Sequence, residues 1–116
     1  MKFVDEVKRT HMCGALRGTD DTKSVVLMGW IDQIRDMGGR YFMLLRDRTG
    51  VVQLRFDKDT PAFETAGTLR NEWVVAVAGT VEHRGDNVNP DQPTGEVEVV
   101  VTEAGVLNSA ATPPSP

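Results

Sequence analysis

A five-stranded β-barrel closed by one helix is the fold this sequence predicts, on three observations. Runs of β-branched and apolar residues with alternating polarity recur between turn signals, the mark of half-buried strands. One segment, "TPAFETAGTLRNE", breaks that rhythm with helical spacing. The element order is three strands, the helix, then two strands, and the long first strand carries Gly29 in its middle. A glycine there often marks a bulge or a sharp bend at a barrel corner. This pattern is that of an OB-fold, an all-β, five-stranded, partly open Greek-key barrel with a capping helix. An SH3-like barrel is the alternative, but it offers no reason for the helix.

Each element follows in order. Residues 1–23 are mixed and read as an N-terminal extension and lead-in, with "DDTK" as a loop. The first strand, "SVVLMGWIDQIR", begins at Ser24, and "DMGG" turns the chain into the second, "RYFMLLRD". "RTG" makes a tight turn into the third, "VVQLRFD". In the helix Thr60 is placed to cap and Pro61 suits the first turn, while Phe63, Ala66 and Leu69 recur at helical spacing. "WVVAVAGTVEHR" is the fourth strand, "GDNVNPDQPTG" a long polar loop, and "EVEVVVTEAGVLN" the fifth. The barrel is thus expected over 24–108, with the Pro-rich 109–116 as the start of a hinge or linker.

Composition narrows the function classes. A chain of 116 residues has room for one core and little more. Its single cysteine excludes an internal disulfide and points to a reducing, cytoplasmic setting. No apolar signal core opens the chain, and no run is long enough for a membrane span. His11, Cys13 and His83 lack metal-ligand spacing, and Cys13 reads as a small buried hydrophobe. No glycine-rich phosphate loop and no nucleophile–base arrangement stands out, so an independent enzyme is not expected. The net charge of −4 opposes bulk attraction to nucleic acid. That charge is uneven: residues 32–55 carry +2 and residues 82–103 carry −5, with His83 neutral.

Strand parity then sorts the faces. In the second strand Tyr41, Met43 and Leu45 share one side and Arg40, Phe42, Leu44 and Arg46 the other. In the third, Val52, Leu54 and Phe56 oppose Val51, Gln53 and Arg55. The uniformly apolar sets should be core. The other sets expose a ring, an amide and three arginines, which is what single-stranded nucleic acid requires: a stacking platform beside phosphate-neutralising charge. OB-folds bind oligonucleotides on this face, helped by the loops between strands 1 and 2 and strands 4 and 5. Gln53 both donates and accepts, which suits the edge of an unstacked base. Glu98 can accept from two adjacent donors, as a guanine edge offers, although a polar residue on an outer strand face is by itself ordinary. Arg84, Asn87 and Asn89 lie in or beside the strand 4–5 loop, where asparagine is also a common turn residue.

"RTHMCGALR", "GWIDQIRDMGG", "FMLLRDRTGVVQLRFD", "LRNEWVVAVAGTV", "VNP", and "TGEVEV" through "VLN" occur in this order. Together they resemble the N-terminal anticodon-binding domain of bacterial aspartyl-tRNA synthetases, from residue 9 to about residue 113. That resemblance implies a class II, homodimeric parent whose catalytic domain uses ATP and Mg²⁺ to activate aspartate. No cofactor is expected in this chain, which should be inactive alone and monomeric. The implied RNA-binding residues are Phe42, stacking on the central anticodon uridine; Gln53, pairing with it; Arg35, contacting the anticodon; and Glu98, reading the first base. Arg84, Asn87 and Asn89 match loop residues near the stem-loop, and Arg40, Arg46 and Arg55 are candidate backbone contacts. One departure stands out: the family carries two more arginines just before Arg35, where this chain has Gln33 and Ile34. Weaker phosphate contact and a flatter salt dependence are expected from their loss. A general single-strand-binding module and a protein-interaction OB domain are the competing readings.

Overall fold

The computed structural model describes residues 3–109; the expected hinge from 110 onward lies outside the described residues. Five strands form among them: β1 (Ser24–Asp36), β2 (Arg40–Asp47), β3 (Gly50–Asp57), β4 (Val74–His83) and β5 (Val97–Asn108). They close into a barrel in the order β1-β2-β3-β5-β4. Every neighbouring pair is antiparallel except β3–β5, which is parallel. The predicted OB-fold architecture is the one observed.

The long first strand closes the barrel by serving two partners. Its first half pairs with β4 and its second with β2, and Trp30 lies in register with both Val74 and Arg46. The bend expected at Gly29 is made just beyond it, where the register shifts between Ile31 and Gln33. Gly29 instead permits close strand contact. A Cβ there would lie 2.3 Å from the Arg46 carbonyl oxygen, so only glycine lets the two strands approach.

The core follows parity. Met43, Leu45, Val52, Leu54 and Phe56 are fully buried together with Val25, Leu27, Ile31, Val75, Val77, Val81, Val97, Val99 and Val101. Burying each large apolar side chain contributes about 1.5–3 kcal/mol. Tyr41 is half-buried, with its ring centroid 5.1 Å from that of Phe63.

Among the described residues two α-helices flank the barrel, α1 (Phe3–Glu6) and α2 (Pro61–Ala66). The second is shorter than its sequence pattern predicts. Thr60 caps it, its Oγ1 accepting from the Phe63 N–H, and Gly67 ends it. Leu69 is still buried, but from the turn beyond the helix. Ala62 and Ala66 face the core, and α2 packs against β2, β3 and β5.

The lead-in segment adds to the core through Cys13 and Leu16, both fully buried. Buried Asp47 fastens it. Its Oδ2 accepts the Cys13 N–H at 2.7 Å, and its Oδ1 accepts from the Thr49 N–H and hydroxyl. The Thr49 hydroxyl oxygen in turn accepts the Gly14 N–H at 2.9 Å. Burial, then the adjacent Asp47 carboxylate, push the Cys13 thiol pKa far above its usual range, so it stays protonated and unreactive.

Candidate nucleic-acid interface

One row of side chains crosses all five strands on the outside of the barrel. Cα register places Gln33 opposite Leu44, Leu44 opposite Gln53, Gln53 opposite Glu98, and Glu98 opposite Glu82. The next row runs Arg35, Phe42, Arg55. This alignment exists because β3 and β5 pair in parallel, which brings residues 45 positions apart side by side.

Phe42 is half-buried, stands outside the core cluster, and has Arg35 on one strand and Arg55 on the other. Two adjoining hollows share Phe42, Gln53, Arg35 and Arg84 as walls. One, of about 200 Å³, is completed by Gln33, Met43, Leu44, Asn89 and Gln92. The other, of about 450 Å³, is completed by Arg40, Arg55, Glu82, His83, Asn87 and Glu98. Phe42 thus forms an apolar part of the wall of both polar hollows.

The arginines divide into two kinds. Arg40 Nε lies 2.8 Å from Asp57, and Arg46 grips Asp32 through Nε and Nη2 at 3.0 and 2.9 Å. Arg55 is held by Asp57 and by Glu98, with Glu82 further off at 3.4 Å. Burial alone would lower the Arg55 pKa, but its hydrogen bonds to Asp57 and Glu98 outweigh that and raise it. The three arginines offered above as backbone contacts are therefore already committed to carboxylates. Parity could not reveal this, because each partner comes from another strand or from a strand end. Arg35 is exposed and unpaired among the described residues, and the buried Arg84 Nε–H has no hydrogen-bond partner there. A buried donor left unmade costs about 1–3 kcal/mol.

Gln53 and Glu98 do not stand apart as two solvated side chains. Both are buried, and Gln53 Nε2 donates to Glu98 Oε1 at 2.8 Å. Arg55 Nη1 donates to Glu98 Oε2 at 2.6 Å. A carboxylate has about four acceptor sites, so each oxygen keeps capacity for one more donor.

The loop residues are brought to the same place by different means. Arg84 precedes a short 3-10 turn over Gly85–Asn87. Asn87 is exposed with a free side chain among the described residues, whereas the Asn89 Oδ1 accepts the Asp91 N–H and shapes the loop. Thr94 pins that loop to β3, its hydroxyl donating to the Val51 carbonyl at 2.6 Å. Sequence reasoning missed Gln92 and the contribution of Gln33 as hollow-lining amides. The outward parity of Gln33 with Arg35 was the available signal. Ile34, considered with Gln33 as a lost arginine, packs on the core and has no place on this face.

The tRNA anti-codon family model, an OB-fold nucleic acid binding domain, matches residues 25–107, most of the chain. The chain belongs to the OB-fold nucleic acid binding domain family. This OB-fold nucleic acid binding domain is similar to part of the aspartate–tRNA(Asp/Asn) ligase of Moorella thermoacetica, at 53% identity over 108 residues. It is also similar to part of the aspartate–tRNA ligase of Thermosipho africanus, at 45% identity over 106 residues. Each match covers 91% of this chain and 18% of the relative, so the chain spans less than a fifth of their length. Among solved structures, asparaginyl-tRNA synthetase from Pyrococcus horikoshii superposes with a TM-score of 0.72 at 29% identity, over 90% of this chain and 24% of that one. The aspartyl-tRNA synthetase resemblance read from the sequence is thus borne out at the level of the relatives.

Proposed function

We propose that this chain is the tRNA anticodon-binding domain of an aspartate–tRNA ligase, and that the whole enzyme, a homodimer, joins aspartate to tRNA with ATP and Mg²⁺. The observation that carries the reading is the pair of adjoining polar hollows that share Phe42 as a wall, lined by hydrogen-bonding groups that still have free capacity. Phe42 stacks on a base of the aspartate anticodon stem-loop. Gln53 meets the edge of the central uridine, and Glu98 the two donors of the first guanosine. Arg35 and Arg84 neutralise phosphate, with Asn87 and Asn89 beside the loop. ATP and Mg²⁺ belong to the proposed catalytic part. Among the described residues no cluster of three or more His, Cys, Asp or Glu is arranged to hold a metal ion.

With a small reading patch on a chain of net charge −4, affinity is expected to be no better than about micromolar. The deciding experiment compares binding of stem-loops carrying guanine-uracil-cytosine with stem-loops altered at each position. Preference for the first sequence supports the reading. Equal affinity across the panel would point to a general single-strand module, and no RNA binding to a protein-interaction domain.

A further inference from the structure

One amide at the centre of the face has its orientation fixed by its neighbours. Gln53 and Glu98 face each other across the parallel β3–β5 pair, and each is 7% exposed. Gln53 Nε2 donates to Glu98 Oε1, and Arg55 donates to Glu98 Oε2. Arg55 is braced from behind by Asp57, through Nε at 3.0 Å and Nη2 at 3.1 Å. A glutamine amide has a donor end and an acceptor end of nearly equal shape, whereas a carboxylate only accepts. Glu98 therefore determines which end of Gln53 turns towards β5, and leaves Oε1 as the end a base can meet. An acceptor in that place matches the N3–H of uracil. The N3 of cytosine is itself an acceptor and is disfavoured.

We infer that Glu98 and Arg55 are positioning residues for Gln53: Arg55, braced by Asp57, holds Glu98, and Glu98 holds the Gln53 amide in the orientation that selects uracil over cytosine. This rests on the base-reading role proposed above. It adds that selectivity at one base is set by two side chains that need not touch that base. Arg55, offered from the sequence as a phosphate contact, acts inward instead.

The test measures affinity for two stem-loops differing only in uracil or cytosine at the central anticodon position. Proteins compared are the wild type, Gln53→Ala, Glu98→Gln and the double variant. Glu98→Gln keeps the size of the side chain, but with its amide oxygen accepting from Arg55 it turns its NH₂ towards Gln53, so the Gln53 amide is no longer held with Oε1 towards the base. The uracil-to-cytosine preference should fall about fivefold in Glu98→Gln, the order expected for one hydrogen bond. The double variant should fall no further than Gln53→Ala alone. Arg55→Met should lower the same ratio. Uniform damage to the fold cancels in this ratio. Full preference retained by Glu98→Gln overturns the inference. Full preference retained by Gln53→Ala sinks the base-reading role itself, and the inference with it, so the two failures are distinct. A second readout needs no RNA: in the free wild type, one side-chain amide proton of Gln53 should be shifted and slow to exchange. A rapidly exchanging, rotationally averaged Gln53 amide would also overturn the inference.

Discussion

Two buried carboxylates, Asp47 and Glu98, are nearly equal in exposure, at 8% and 7%, yet do different work. Asp47 is closed off by the Cys13 N–H and by the N–H and hydroxyl of Thr49, two of its three donors being main chain. Glu98 is held by two side chains, Gln53 and Arg55, and borders an open hollow. Main-chain donors move only when the fold moves, so Asp47 belongs to the architecture. Side-chain donors hold Glu98 in place while leaving acceptor capacity beside the open hollow. The lesson is that burial alone does not separate a polar group closed off by the fold from one left open at a hollow; the identity of its partners does.

The largest effect should come from breaking the closed carboxylate. Asp47→Ala leaves buried donors unmade and frees the lead-in segment, and should cost roughly 2–4 kcal/mol in urea unfolding. Glu98→Gln should cost about 1 kcal/mol or less, because its amide still accepts from Arg55. Equal losses would erase the distinction between the two groups. The pH dependence sharpens it. Burial alone would raise the Asp47 pKa, but hydrogen bonds from Thr49 and Cys13 outweigh that and depress it. A depressed folded-state pKa contributes stability above the unfolded value, near 3.9, and loses it as pH falls through the folded value. Stability should therefore drop below about pH 4, and Asp47→Asn should flatten that drop in unfolding curves from pH 7 to 3.

On the open side the effects should appear in binding. Phe42→Ala should weaken stem-loop binding by about 1–3 kcal/mol with little change in melting temperature. A lowered melting temperature with intact affinity would make Phe42 part of the structure. Smallest should be the salt effects. Arg84→Met should reduce the log–log salt slope by up to about 0.9 if its phosphate lies in the stem. Arg46→Met, which removes an arginine already paired with Asp32, should leave it nearly unchanged. Gln33→Arg should steepen the slope, whereas Ile34→Arg should instead destabilise, because Ile34 packs on the core. Equal slopes for the Arg84 and Arg46 variants would remove the distinction between free and committed arginines.

Much of this architecture was legible in the sequence because alternation is local. The limits of β2 over Arg40–Asp47 and the core parity of Val52, Leu54 and Phe56 follow from neighbours along the chain. Phe42 and Gln53 could be assigned to the outer face by the same rule. What was hidden depends on closure. The pairing of Gln53 with Glu98 requires the parallel β3–β5 register, which no local pattern encodes. The commitments of Arg46 to Asp32 and Arg55 to Glu98 likewise arise only after strands are side by side. Helix α2 was overextended because Leu69 continues the apolar spacing past Gly67, where the helix has ended. Cys13 could be read as a buried hydrophobe, but its fastening to Asp47 depends on contact with the β2–β3 turn.

The anchoring of Thr94 to Val51 has a thermodynamic consequence. Thr94 is 2% exposed, and the same loop is cross-braced by Asn89 N–H to the Gly95 carbonyl and Gly95 N–H to the Gln92 carbonyl. A segment so tied has surrendered its conformational entropy during folding. Docking then has little left to order, and should proceed as a near-rigid encounter. Calorimetry would register this as a heat-capacity change matching the surface buried at contact, without the larger decrement of a loop that folds around its ligand.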